Sequence, residues 1–145
     1  MKFSFIMYTS RLAFQVTTPR TDVAVISISD PDQVVSNLTG WGALLELKFC
    51  DLTSPVCGLP IFMPRDAAKT LDFLEQSNTI CKMLLIHCEA GVSRSGAVAY
   101  FAANKSGLSE VWSMDRLEAT GSSQAINKRV MQLLQDVDHR RKRNA

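Results

Sequence analysis

The sequence predicts an α/β fold with a central, mostly parallel sheet of four or five strands flanked by helices. Short apolar or β-branched runs alternate along the chain with longer segments of helical periodicity. Residues 83–86 are apolar without a break, which is typical of a central strand covered on both faces. Helices between successive strands make right-handed crossovers, and such crossovers join parallel strands.

Four segments have the composition of strands: residues 3–8, 23–28, 45–49 and 83–87. The second is rich in β-branched residues and is followed by turn-forming residues at 30–32. In the third, apolar side chains alternate with Glu46 and Lys48, so we expect one of its faces to be solvated. The fourth leads directly into a short loop with an unusual combination of residues.

Five segments are predicted to be helical: residues 32–38, 64–76, 96–103, 108–118 and 123–139. Pro64 suits the first turn of the second helix. The third helix is apolar or small nearly all round, so we expect it to lie packed within the domain until Gly107 ends it. The last has apolar residues at helical spacing, which indicates contact with the core.

Length and composition favour a single domain over residues 1–145. The chain has 145 residues, of which 46% are apolar, and this suits one core.

Sixteen basic and fourteen acidic residues give a formal charge of +2. Without the four basic residues at 140–143, twelve basic residues face fourteen acidic ones, a balance of −2. We therefore expect no nucleic-acid partner. We expect residues 140–145 to be a solvated, frayed helix end, with an anionic partner as the alternative.

The loop at residues 87–96 places a thiol and a guanidinium six positions apart, at Cys88 and Arg94. A cysteine attacks as its thiolate, and converging backbone N–H groups, a helix N-terminus and a nearby arginine all stabilise that anion. The same groups bind an oxyanion, so the loop indicates phosphate chemistry. If the loop curls around a tetrahedral anion, Arg94 grips two oxygens and Cys88 lies beneath the phosphorus. The predicted phosphate-binding residues are Glu89, Ala90, Gly91, Val92, Ser93 and Arg94.

These positions predict covalent catalysis without a metal or another cofactor. The thiolate of Cys88 attacks in line and forms a phosphocysteine, while Arg94 and the loop amides stabilise the charge on the equatorial oxygens. Ser95 can donate its hydroxyl to the thiolate, which makes the sulfur a better leaving group when water attacks. We expect His87 to orient the loop rather than to transfer protons, and the side chain of Glu89 to point outward.

Residues 87–95 resemble the active-site motif of the cysteine-dependent protein tyrosine phosphatase superfamily, His-Cys-x5-Arg-Ser/Thr, and include its glycine at Gly91. The five fixed positions together are expected by accident less than once in about ten thousand chains of this length. The order of elements, with Asp30, Asp51 and Asn127 at their places, looks like small bacterial and viral relatives of the dual-specificity branch. The resemblance implies a phosphatase with the fold of that superfamily. The chain lacks the Trp-Pro-Asp triplet and a tyrosine-clamping motif.

A phosphatase of this kind also needs a proton donor for the departing oxygen, which later activates water. The resemblance points to an aspartate on the loop after an earlier strand. Asp51 lies thirty-seven residues ahead of Cys88 and is the predicted general acid and base. Asp66 is the alternative, although its place in the first turn of a helix explains it as a partner of the helix dipole. Asp30 and Asp32 are interpreted as turn and cap residues.

Hydropathy and cysteine use predict a cytoplasmic protein. No stretch is long and apolar enough for a membrane span, and the N-terminal segment is too short and polar for a signal peptide. A nucleophilic Cys88 must stay reduced, which favours a reducing compartment. Oxidation that links Cys88 to Cys50 or Cys57 is an alternative to simple buried thiols. Since there is no Cys-x2-Cys pair, and His87 and His139 are the two histidines, no metal site is predicted.

Together these patterns predict a protein phosphatase that hydrolyses phosphotyrosine, and also phosphoserine and phosphothreonine. Its expected partner is a phosphorylated protein, with no membrane, nucleic acid or cofactor, and the oligomeric state is not predicted. Two alternatives stay open: a phosphatase of the same loop type that acts on a phosphoinositide, a nucleotide or an RNA 5′-phosphate, and a phosphate-binding module without turnover. The intact Cys88 and Arg94 disfavour the second.

Overall fold

Six strands and four helices are present in residues 1–121 and 125–145, which the computed structural model describes. The strands are β1 (Phe5–Ser10), β2 (Val23–Ser29), β3 (Ala43–Lys48), β4 (Met83–Cys88), β5 (Val111–Ser113) and β6 (Glu118–Thr120). The helices are α1 (Arg11–Gln15), α2 (Pro64–Ser77), α3 (Ser93–Ser106) and α4 (Lys128–Arg143). The strands form one sheet in the order β3-β2-β4-β1-β5-β6, and only the β5–β6 pair is antiparallel. The predicted α/β fold with a mostly parallel sheet is confirmed.

Strand β4 lies between β1 and β2 and is covered on both faces. Leu84 and Ile86 belong to the main core with α2, α3 and α4. Leu85 points to the opposite face, where it packs with Phe14 of α1 and Val25 of β2. Each fully buried side chain of this size contributes roughly 1.5–3 kcal/mol through removal of apolar surface from water. Burial on both sides explains why the sequence of β4 is apolar without alternation.

The predicted helix at residues 108–118 is wrong. Its first part is strand β5, which pairs with β1, and its end begins β6. Val111 and Ser113 are buried, as expected for alternate positions on a strand, and Leu117 adopts a left-handed backbone conformation with φ of 55° where the hairpin turns. The sheet therefore has six strands in the described residues, rather than the predicted four or five.

The predicted helix at residues 32–38 is also absent, and this segment contains a turn followed by irregular chain. Asn37 has φ of 67°, which no right-handed helix accommodates. Its side-chain amide donates to the carbonyl oxygens of Phe14 and Thr17, so the segment is tied to α1 instead of forming its own helical hydrogen bonds. Helix α1 itself, which has five residues, was not predicted.

Helix α4 begins at Lys128, after the predicted start at residue 123, and Asn127 is its N-cap. The predicted start falls on residues 122–124, which lie outside the described residues. The helix continues to Arg143, so the basic residues at 140–143 form its last turn, and Arg141 pairs with Asp72 of α2 at 2.8 Å. No helix in the described part of the chain has the length and apolar composition to cross a bilayer.

Candidate active site

The loop between β4 and α3 lies at the carboxyl edge of the sheet, beside the ends of β1 and β2. This is the edge at which parallel sheets bind ligands. Arg11, which follows β1, donates its backbone N–H to the carbonyl oxygen of Glu89, and this bond joins the loop to β1. The loop begins at Cys88, the last residue of β4, and ends in the first turn of α3.

The backbone of the loop leaves its amides free. Within the described residues, none of the backbone N–H groups of residues 90–94 donates to a protein acceptor. Gly91 has φ of 71°, and a Cβ at this position would overlap the backbone of Thr9 and Ser10 at the end of β1. Only glycine therefore lets the loop turn this sharply against β1. Free amides beside a helix N-terminus are the arrangement that binds phosphate.

Cys88 and Ser95 are in contact beneath the loop. The Sγ atom of Cys88 lies 3.1 Å from the Oγ atom of Ser95, and both side chains are buried. The hydroxyl is therefore placed to donate to a thiolate.

The guanidinium of Arg94 is buried and is held along one side. Its Nη1 atom donates to Oδ1 of Asp30 at 2.7 Å and to the carbonyl oxygen of Phe49 at 2.8 Å. Its Nε atom is buried and has no partner in the described residues. Since Nε and Nη2 form the parallel edge of a guanidinium, the edge that grips two oxygens of one anion is left open.

Asp30 is the functional contact that the sequence interpretation missed. It does accept the backbone N–H of Gln33 in a turn, as a turn residue does, but its carboxylate also forms the ion pair with Arg94. A signal was present: Asp30 directly follows β2, the neighbour of β4, and the carboxyl ends of neighbouring parallel strands meet at one edge. Asp32, by contrast, is exposed and caps no helix.

Asp51 lies against the loop and is tied to it through a single oxygen. Its Oδ1 atom accepts from Oγ of Ser93 at 2.9 Å and from Nδ2 of Asn127 at 2.7 Å. The Oδ2 atom has no partner in the described residues. Asp66, the alternative acid, accepts instead from the backbone N–H of Met63 at the start of α2, which agrees with its interpretation as a first-turn residue.

His87 is fully buried beneath the loop. One ring nitrogen lies 2.7 Å from Oγ of Ser27 on β2, and the ring stacks on Phe14 of α1 with a centroid distance of 4.2 Å. Burial lowers the pKa of His87 from 6.5 to about 4, so the ring is neutral near pH 7. A neutral ring packed between two elements is suited to holding the loop.

The carboxylate of Glu89 is held by two partners outside the loop, Arg11 and Gln33. Its carboxylate accepts from Nε of Arg11 at 2.7 Å and from Nε2 of Gln33 at 2.7 Å. These hydrogen bonds, first that of Arg11, lower the pKa of Glu89 to about 2. The charge is thus neutralised by Arg11, a contact that sequence reasoning did not find.

Cys50 and Cys57 differ in exposure. Cys50 is half-buried, whereas Cys57 is exposed, and neither is in a disulfide with Cys88 or with buried Cys81. An oxidised link to Cys88 therefore stays an untested alternative.

Comparison with solved structures finds a similar chain, described as "Crystal structure of Tk-PTP in the active form". It shares 20% sequence identity, the TM-score is 0.49, and the overlap covers 85% of this chain and 88% of that chain. No model of a protein family matches the chain, and no curated protein matches it significantly. A TM-score below 0.5 at 20% identity carries no argument for an activity. The function is therefore argued from the loop and the residues that surround it.

Proposed function

We propose that the chain is a cysteine-dependent protein phosphatase that hydrolyses phosphotyrosine, and also phosphoserine and phosphothreonine, with a phosphorylated protein as its partner. One observation carries this proposal. On a single loop, a buried Cys88 lies beside a row of free amides, and a buried Arg94 leaves its Nε–Nη2 edge open. Such a set of donors around a sulfur fits the three equatorial oxygens of a phosphoryl group.

In the proposed first step, the thiolate of Cys88 attacks phosphorus, the bond to the ester oxygen breaks, and a phosphocysteine forms. The amides of residues 90–94 and the open edge of Arg94 stabilise the charge on the transferred group. In the second step, water attacks the phosphocysteine and the thiolate leaves. The hydroxyl of Ser95, 3.1 Å from the sulfur, stabilises that leaving thiolate.

Asp51 is the proposed general acid and base. Ser93 and Asn127 both donate to Oδ1, so the proton for the departing oxygen is assigned to Oδ2. The same carboxylate then takes a proton from the attacking water. His87 is proposed to position the loop, because its neutral ring is enclosed by Ser27 and Phe14. A reducing, cytoplasmic setting suits this chemistry, since the thiol must stay unoxidised.

The test begins with an aryl phosphate in the presence of a metal chelator. We expect hydrolysis that vanadate inhibits. Cys88→Ser should abolish turnover while phosphate or vanadate binding partly survives, because the amides and Arg94 are unchanged. Full activity in Cys88→Ser would contradict the covalent mechanism, and absence of hydrolysis in the wild-type protein would favour a binding module.

The role of Asp51 is tested by the leaving group. Asp51→Asn should lower kcat strongly for phosphoserine peptides, whose alkoxide needs a proton, and much less for an aryl phosphate with an acidic phenol. Equal losses on both would place the acid elsewhere. A panel of phosphopeptides, phosphoinositides and RNA 5′-phosphates, with Cys88→Ser as the control, separates the protein substrate from the alternatives.

A further inference from the structure

A cleft of about 390 Å³ opens beside the catalytic loop, between the turn at residues 30–32 and the segment at residues 50–60. One end of the cleft is at Asp30, whose carboxylate binds Arg94. Cys50, in its opposite wall, directly precedes the proposed general acid. The cleft therefore lies next to the residue that holds Arg94 and next to the segment that carries the proposed general acid.

The walls of the cleft combine apolar surface with two carboxylates, Asp30, which is paired with Arg94, and Asp32. Pro31, Leu59 and Pro60 provide the apolar surface, and Leu59 is half exposed to solvent. Asp32 is exposed at the turn and, within the described residues, forms no hydrogen bond or ion pair. An apolar wall that ends in a carboxylate matches a side chain with an aliphatic stem and a cationic head.

In the described residues Asp32 accepts no hydrogen bond and forms no ion pair, in contrast to its neighbours. Three other carboxylates around the loop are each held by a donor. Their donors are Arg94 for Asp30, Asn127 for Asp51 and Arg11 for Glu89. Lys48 lines an adjoining cleft with Asp32, but its ammonium donates to Oγ of Ser29 and to the carbonyl oxygen of Gln33. Asp32 is thus available to a cation of the substrate.

We propose that this cleft is a specificity subsite for a lysine or arginine near the phosphorylated residue of a protein substrate. The stem of that residue packs on Leu59 and Pro60, and its cation pairs with Asp32. This inference rests on the proposed function, because it presupposes that a phosphopeptide occupies the loop. A partly exposed ion pair contributes little, so the preference is expected to be about two- to five-fold in kcat/KM and to decrease as salt is added.

The experiment measures kcat/KM for phosphotyrosine peptides in which lysine replaces alanine at each position from −3 to +3. An aryl phosphate without flanking residues serves as the reference substrate. The wild-type protein should prefer lysine at one or two positions, and Asp32→Asn should lose that preference while it retains its activity on the all-alanine peptide and the aryl phosphate. Glu75→Gln, which removes a carboxylate from the far end of α2, is the matched control and should keep the preference.

Each outcome decides a separate point. Hydrolysis of the aryl phosphate together with a flat lysine scan, or a preference that Asp32→Asn retains, overturns the subsite and leaves the proposed function standing. If the wild-type protein hydrolyses neither the aryl phosphate nor any of the phosphopeptides, both the subsite and the proposed function are overturned.

Discussion

The guanidinium of Arg94 has two usable sides, and the protein occupies only one of them. Asp30 and the carbonyl oxygen of Phe49 bind Nη1, while Nε is buried without a partner. A buried donor without an acceptor is costly, typically about 1–3 kcal/mol, and it is retained where a ligand supplies the acceptor. The orientation of this edge depends on Asp30, so we interpret Asp30 as a positioning residue for Arg94.

We predict that Asp30→Ala lowers kcat/KM for an aryl phosphate by about 10- to 100-fold, because a shift of about 1 Å in a positioned group has an effect of this size. Asp30→Asn keeps an acceptor oxygen and should recover part of the loss. Asp32→Ala, in the same turn, is the control and should leave hydrolysis of the aryl phosphate unchanged. Steady-state kinetics and the inhibition constant for vanadate measure the effect. An unchanged vanadate constant in Asp30→Ala would show that Arg94 is positioned without it.

At the scale of elements, the N-terminus of α4 is connected to the proposed general acid. Oδ1 of Asn127 accepts from the backbone N–H of Val130 and caps the helix, and its Nδ2 donates to Asp51 and to the carbonyl oxygen of Leu52. The backbone N–H of Asn127 donates to the carbonyl oxygen of Ser93 in the loop after β4. One residue thus joins α4, the segment after β3 and the loop.

We predict that Asn127→Ala and Asn127→Ser both lower kcat for phosphoserine peptides, because each removes the donor to Asp51. Only the alanine variant also loses the cap, which should cost about 1 kcal/mol of unfolding free energy. Denaturant unfolding and turnover, measured in parallel, separate the two effects. Normal turnover of phosphoserine peptides by a stably folded Asn127→Ser protein would mean that Ser93 alone holds the acid.

At the scale of the whole molecule, the centre of the sheet is covered on both faces, and this cover controls the protonation of His87. The layer formed by α1 and the irregular segment after β2 encloses His87 from the side opposite the main core. The folded protein therefore resists protonation of this ring, whereas the unfolded chain does not.

We predict that stability is greatest above about pH 6.5 and falls as the pH decreases toward 4. The folded pKa of His87 is about 4 and its ordinary value is 6.5. Between these values the unfolded chain binds a proton that the folded protein does not, and this proton stabilises the unfolded chain. The loss between pH 7 and pH 5 is about 2 kcal/mol from this residue. Urea unfolding across this range measures it. His87→Gln should flatten the dependence, and His139→Gln, at an exposed position, should not. An equal slope in His87→Gln would assign the pH dependence to other groups.

The local sequence pattern was sufficient to predict which side chains belong to one site where the contacting residues are close in the sequence. Cys88 and Ser95 lie on one loop, and their side chains are in contact in the structure. The local pattern failed to predict structure or contacts where the interacting residue is distant in the sequence. Residues 111–113 are a strand because β1 offers them hydrogen bonds, and nothing within residues 108–118 indicates that pairing. Asp30 was interpreted as a turn residue because its other partner, Arg94, is 64 positions away.

The sequence by itself predicted phosphate chemistry for the loop, because a thiol, a guanidinium and a hydroxyl lie within eight consecutive residues after a buried strand. It also determined that β4 is central, since an unbroken apolar run requires cover on both faces. The tertiary structure alone decided which carboxylates reach the loop and which stay free. Asp30 and Asp51 come from the ends of β2 and β3, and only the order of strands in a parallel sheet brings those ends to the edge where Arg94 lies.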